Sequence, residues 1–393
     1  MTSPTAKPTV LAITKDSFIL RQVRLAMPLL NLKRQGLIAD YFITNPSLFD
    51  LPDDYTFDVV WLQRVDDPVL LDHLAQKIDS HYLYDLDDLL VGRASFRGPD
   101  LVNPEAVGEG VRRCRVLTVP TSGLATLLQK YVGASLEQKS RVCPNAGEFP
   151  GQTRTPAQPV GLVLTASEAV ALTASYDAVL DEVARFSRRH DLPLYYFGKP
   201  DGRLTAKFPR IISLGLVPYW HYHALLAALP PLLGVSPLET VADQASLDFI
   251  NGKSDVKMVE FGGWGHPAVY SDAAPYRETD LRAGIVVNNT AAAWRAGLEA
   301  VYGDLWQRLD KDQEQVRELR NMNRVAAECW QGAITAARLP RRLTGREIKF
   351  AARGIRFLIN AGRHLVYSQD YLFMKKLQSK VPAPLLRIAQ RFY

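Results

Sequence analysis

Residues 249–271 read FINGKSDVKMVEFGGWGHPAVYS. Helical spacing runs from Ser254, the expected N-cap, to Phe261. A glycine-rich break and a short apolar strand, Ala268–Ser271, follow. At 100° per residue, Lys253, Lys257 and Glu260 share one helix face, and Val256, Val259 and Gly263 share the neighbouring one. The apolar face suits packing on a sheet. The polar face offers two ammonium groups, a carboxylate and the N–H groups of a helix N-terminus, a set that fits a diphosphate beside a ribose or sugar hydroxyl. An ordinary solvated helix can carry the same lysine pair, so the surrounding sequence has to decide.

On both sides of this stretch, short apolar strands alternate with helices. Val10–Thr14, Asp58–Gln63, Tyr82–Asp85 and Val116–Val119 read as buried strands. A helix is expected over Leu20–Gln35, ended by Gly36, and another over Leu70–Ile78. The polar, turn-rich Gly147–Pro159 reads as a linker. The alternation then restarts with strands at Gly161–Leu164, Leu194–Phe197, Ile211–Leu214, Leu232–Ser236, Ala268–Ser271 and Ile285–Val287. This pattern predicts an α/β protein of two Rossmann-like domains, with parallel sheets, facing a central cleft. The expected boundaries are 1–150 for the first domain, 151–158 for the linker, 159–305 for the second domain, and 306–393 for a helical, basic extension. Within Trp294–Leu339, residues Leu305, Leu309, Val316, Leu319, Met322, Val325 and Cys329 approximate one apolar stripe.

The 393 residues carry a net charge of +6, unevenly spread. Arg338–Tyr393 holds thirteen Lys or Arg against Glu347 and Asp370, or +11, which leaves −5 for the rest. In Ile348–Val366, Lys349, Arg353, Arg356 and Arg363 fall on one helix face and Ile348, Ala352, Ile355, Ile359 and Val366 on another. This is a pattern suited to an anionic membrane surface. No apolar run approaches the roughly 20 residues of a membrane span, and Met1–Lys7 has no apolar signal core. The expected location is cytoplasmic, peripheral on the inner face of the plasma membrane, with no nucleic-acid partner. Three dispersed cysteines, Cys114, Cys143 and Cys329, fit neither a disulfide framework nor a zinc site.

Other groups bear chemistry. Asp85, Asp87 and Asp88 follow a strand and reach the cleft edge. They suit acceptor hydroxyls, helix capping or a divalent cation. Thr165-Ala166-Ser167 reads as a loop between strand and helix, able to meet phosphate. His221 and His223, two apart on a helix, point away from one another and cannot chelate one ion; His266 reads as structural. No G-x-G-x-x-G follows the first strand, which weakens a dehydrogenase reading.

Several segments, in order, resemble retaining GT-B glycosyltransferases, family-4-like, of bacterial polysaccharide or lipopolysaccharide biosynthesis. They are Tyr82–Leu90, Val116–Leu128, Val142-Cys143-Pro144-Asn145, Tyr195–Gly198, Gly215–Tyr219, Gly234–Leu238, Lys257–Phe261 and Gly265–Ser271. The resemblance covers roughly residues 8–305. It implies a GT-B fold and sugar transfer from a nucleotide-diphosphate donor, with retention and without a metal or other cofactor. The implied acceptor is a lipid-linked or surface glycan. Glu260 is then expected to hold the ribose and Lys253 to face the diphosphate, with Asp87 and Asp88 completing the catalytic set. Ser254, Asp255, Lys257, Gly198, Tyr219, Thr165 and Ser167 are expected around the donor, and Asp85 and Arg24 at the acceptor. Many members carry a glutamate where Gly252 stands, so that contact is missing or is made by Lys253, Ser254 or Asp255. The alternatives are a sugar-nucleotide epimerase of similar build and a non-catalytic nucleotide-sugar-binding partner subunit.

Overall fold

A computed structural model describes residues 6–15, 19–48, 50–91, 102–168, 176–238 and 243–349. Two six-stranded sheets, parallel throughout, organise the chain. The first holds β1 (Thr9–Thr14), β2 (Asp40–Thr44), β4 (Val59–Gln63), β5 (Tyr82–Asp85), β6 (Val116–Val119) and β7 (Ser140–Val142), in the order β2-β1-β4-β5-β6-β7; β3 (Thr56–Phe57) stands apart. The second holds β8 (Leu162–Glu168), β9 (Leu194–Lys199), β10 (Ile211–Ser213), β11 (Leu233–Ser236), β12 (Ala268–Ser271) and β13 (Ile285–Val287), in the order β10-β9-β8-β11-β12-β13. Strand order reverses between β1 and β4 and again between β8 and β11. Ligand crevices therefore open at the C-terminal ends of these strands.

The continuous apolar runs of the central strands follow from burial on both faces. Leu11, Ile13, Val60, Leu62, Tyr82 and Tyr84 enter one core, while Val10, Ala12, Val59, Trp61 and Leu83 enter the other. The ten strands read from the sequence are all present. The edge strands β2 and β7 were not among them, being short and half-polar. The first helix spans Ile19–Arg34 but contains a π-helical turn, Gln22–Ala26.

The helical region after Trp294 does not present one continuous stripe. Val316 and Leu319 pack on the second domain, whereas Met322, Val325 and Cys329 pack on the first. The switch falls at Arg320–Asn321, beside the first chain crossing. There Gly147 N donates to the Arg320 carbonyl and Met322 N to that of Gly147, each at 3.0 Å. Beyond it, β14 (Leu343–Thr344) pairs antiparallel with β3, and Leu343 and Ile348 are buried in the first domain's core. The basic amphipathic helix expected from Ile348 therefore does not begin there: Ile348 is core, and Lys349 leaves the helix in an extended conformation with Nζ 2.6 Å from Asp53. The remainder of that segment lies outside the described residues. Among the described residues no helix is long and apolar enough to cross a membrane.

Candidate functional site

Helix Val256–Gly263 forms where the sequence places it, but its start differs. The N-cap is Asp255, without a capping side-chain bond. Ser254 is engaged elsewhere: its Oγ accepts from Asn145 Nδ2 at 2.8 Å, across the cleft. Asp255, expected at the donor, is buried against Arg320 (3.0 Å) and Thr279 (2.6 Å), which meet its carboxylate from inside the second domain. Lys253 lies in the turn between helices Gln244–Asn251 and Val256–Gly263, and so is not on the face of Lys257 and Glu260. Its Nζ sits 4.6 Å over the Phe249 ring and 3.7 Å from Asp88 Oδ1 of the first domain.

Glu260 is buried and accepts from Tyr222 OH (2.8 Å) and Lys257 Nζ (2.6 Å). Tyr222 lies on helix Tyr219–Ala228, its phenol pushed well above the usual range by burial and then by the Glu260 charge, so it remains a proton donor. Lys257 Nζ also lies 5.5 Å from the Tyr222 ring. Next to Tyr222, His223 Nδ1 accepts from Trp264 Nε1 at 2.7 Å, and burial pushes its imidazole down to about 4. Tyr219 packs at a tilt against His223 (4.3 Å between ring centroids) and reaches into the first domain's core. His266 is structural: Leu232 N donates to its Nδ1, and its Nε2 meets the Leu226 carbonyl at 2.9 Å.

Thr165 and Ser167 do not form a loop. β8 continues through them to Glu168, with a register shift against β9 after Thr165. Thr165 lies beside the Tyr222 hydroxyl. Gly198 of β9 has φ +148, and a Cβ there would strike the Ala166 carbonyl, so only glycine lets the two strand ends approach.

In the first domain, the π-helical turn aims Arg24 inward. Its Nη2 lies 2.6 Å from Asp85 Oδ1 and its Nε 3.1 Å from Oδ2, while Nη1 donates to the Cys143 carbonyl (2.6 Å) and to Asn145 Oδ1 (3.1 Å). Thr118 Oγ1 donates to the same carboxylate, and Trp330 stacks 4.7 Å from the guanidinium. This pair is wholly buried. Contrary to the expectation that Arg24 and Asp85 meet an acceptor, they are buried against one another and hold Asn145, which reaches Ser254.

Asp87 and Asp88 do stand at the cleft. Asp87 is buried, and its Oδ1 has no hydrogen bond, with Arg64 Nε 3.5 Å away. Burial pushes its carboxyl up to about 7, against the pull of Arg64 and with the push of Asp88. Arg64, which sequence reading missed, has φ 52, a left-handed backbone unusual for a bulky residue, and its Nη2 lies 3.8 Å from Asp88. Nothing in the local sequence signals that conformation. Arg64, Asp87, Asp88 and Lys253 form a charged set spanning the cleft.

The domains also touch directly. Lys130 Nζ (2.6 Å) and Tyr131 OH (2.9 Å) both donate to Asp248 Oδ2, and Phe249 enters the first domain's core. A Cβ on Gly252 would lie 3.0 Å from Leu89 Cβ and 3.3 Å from Leu124 Cδ1. Gly252, which stands where many GT-B members carry a glutamate, is thus pressed against the opposite domain.

Two parallel-sheet α/β domains about a cleft, with the chain returning to the first domain at residue 320, constitute a GT-B fold. No protein-family profile matches the chain, and no curated protein matches it in sequence. Solved structures do match. HepE of Anabaena in complex with UDP and glucose shares 11% identity at a TM-score of 0.55, covering 81% of this chain and 97% of that one. HepE in complex with UDP-glucose shares 10% at 0.56, covering 82% and 98%. Sucrose-phosphate synthase from Thermosynechococcus elongatus shares 12% at 0.55, covering 81% and 97%. At these identities the likeness is one of fold.

Proposed function

We propose that the chain is a retaining, metal-independent glycosyltransferase that moves a sugar from a nucleotide diphosphate to a lipid-linked or surface glycan. The observation that carries this reading is Glu260. It is a buried carboxylate fixed by Tyr222 and Lys257 on the helix before β12, beside the crevice of the second sheet. A carboxylate held there suits the two hydroxyls of a ribose. Lys257 and Lys253 supply positive charge for the diphosphate leaving group, the kind of preorganised electrostatic term that dominates many transfer reactions. Thr165, Ser167, Gly198 and Tyr219 complete the donor surroundings.

Asp87 and Asp88 meet the acceptor hydroxyl from the first domain, with Arg64 orienting both. Attack on the face the leaving group departs from, with the departing phosphate taking the hydroxyl proton, gives retention. The domains' direct contacts exclude water and so limit donor hydrolysis. The reading includes a bacterial, cytoplasmic-face location, with residues beyond Lys349 meeting an anionic leaflet.

The test is transfer itself: purified protein with UDP-, GDP- and dTDP-sugars and a glycan-lipid extract, in EDTA, with products separated chromatographically. A labelled glycan formed in EDTA, with the anomeric configuration of the donor, is the expected result. Conversion of the sugar nucleotide without acceptor indicates an epimerase. Transfer that needs Mn²⁺ or Mg²⁺ removes the metal-independent mechanism.

A further inference from the structure

At the edge of the first sheet away from the cleft, where β5, β6 and β7 begin, an open recess of about 830 Å³ is lined by Arg113, Arg115, Lys139, Arg141, His81 and a single carboxylate, Asp79, among others. The strand β5 separates it from the cleft: Tyr82 lies at the recess end and Asp85 at the cleft end. Arg113 is answered by Asp72 at 2.6 Å and by Glu109 at 2.5 Å. Among the described residues no carboxylate comes within ion-pair distance of the other three cations. Lys139 donates to the carbonyls of Val111 (2.8 Å) and Arg112 (2.7 Å), and Arg141 to those of Gln138 (3.2 Å) and Ser140 (2.8 Å). Arg115 and Arg141 are exposed.

Capping of helix ends accounts for part of this charge, since Lys139 meets the last carbonyls of helix Pro104–Arg113. Each helix C-terminus contributes only about half a negative charge. The C-terminal ends of helices Pro68–Ile78 and Pro104–Arg113, together with Asp79, leave the recess positive. Two guanidinium forks and an ammonium around a concavity match phosphate oxygens, which guanidinium binds in pairs. A flat basic face would suit a surface; a recess suits a discrete headgroup.

We propose that this recess is a phosphate-recognising site separate from the interdomain cleft. Its ligand carries a phosphate or diphosphate group, either on a small soluble molecule or at the head of an anionic lipid.

Hydrogen–deuterium exchange of the full-length chain separates this site from the donor cleft, because the peptides are different. Pyrophosphate should slow exchange across residues 135–141, whatever it does across 250–265. In Arg115→Glu/Arg141→Glu the concentration needed should rise at least about tenfold, and in Arg115→Gln/Arg141→Gln by less. A parallel arm uses vesicles of phosphatidylglycerol in phosphatidylcholine against phosphatidylcholine alone. Protection by pyrophosphate only assigns a soluble ligand, and protection by the anionic vesicles only assigns a lipid head. No protection in either arm, or protection unchanged in both double variants, overturns the site.

Discussion

Glu260 shows how a local pattern and a tertiary contact divide the work. Its spacing from Lys257 is readable at 100° per residue; its bond to Tyr222, 38 residues away, is not, because it depends on how two helices pack on the second sheet. Glu260→Leu leaves the Tyr222 hydroxyl buried without its acceptor and should cost roughly 1–3 kcal/mol in urea unfolding. Glu260→Gln keeps an acceptor and should retain the fold. The cleft set divides similarly. Asp87 and Asp88 were legible as acids after a strand. Arg64 was not, because its left-handed backbone leaves no mark in composition. Asp87 also makes a prediction with a definite sign. Its folded value of about 7 lies above the ordinary carboxylate value of about 3.9. Between these values the folded chain keeps a proton that the unfolded chain releases, so this group's contribution to stability falls as pH rises. Asp87→Asn removes that dependence. Relative to wild type it should gain roughly 1–3 kcal/mol between about pH 5 and about pH 8. Parallel stability curves across that range would show that Asp87 ionises normally.

Among the elements, those most legible were the central strands, because burial on both faces leaves only apolar residues. Edge strands such as β2, Asp40–Thr44, are half-exposed and carry no such run. The π-helical turn at Gln22–Ala26 was not legible either. It serves to turn Arg24 onto Asp85, and Arg24→Ala should destabilise the first domain by about 3–5 kcal/mol, since it strands a buried carboxylate. β14 is the other element the sequence hid. It has two residues, and its partner β3 is nearly 300 positions earlier. Leu343 and Ile348 each bury a full side chain, worth about 1.5–3 kcal/mol apiece. A chain ending at Leu339 should therefore melt well below one ending at Lys349. Equal melting of the two truncations would mean that the strap contributes nothing.

At the scale of the molecule, the two halves are tied by side-by-side crossings at Gly147 and Asn321 and closed by contacts from Lys130 and Tyr131 to Asp248. The overall architecture was legible from the order of strands, helices and the polar linker. The closure was not, since in the sequence Gly252 marks only the place of a missing glutamate until Leu89 and Leu124 are seen against it. Asp248→Asn and Gly252→Ala should both shift the chain toward an open form, with a larger radius of gyration in small-angle scattering and weaker donor binding. Charge is also redistributed at this scale. Arg338, Arg341, Arg342, Arg346 and Lys349 are paired within the chain, to Asp58, Glu347 and Asp53, so eight of the thirteen terminal cations lie beyond Lys349.

The central claim is that the second domain's crevice, built on Glu260, holds a nucleotide diphosphate sugar. Thermal shift in EDTA against UDP-, GDP- and dTDP-sugars tests it most directly. A true donor at 100 times its Kd adds about 2.7 kcal/mol to stability. At least one donor should raise the melting temperature of the wild-type chain and fail to raise that of Glu260→Gln at the same concentration. No shift with any donor, or an equal shift in both proteins, would contradict the account.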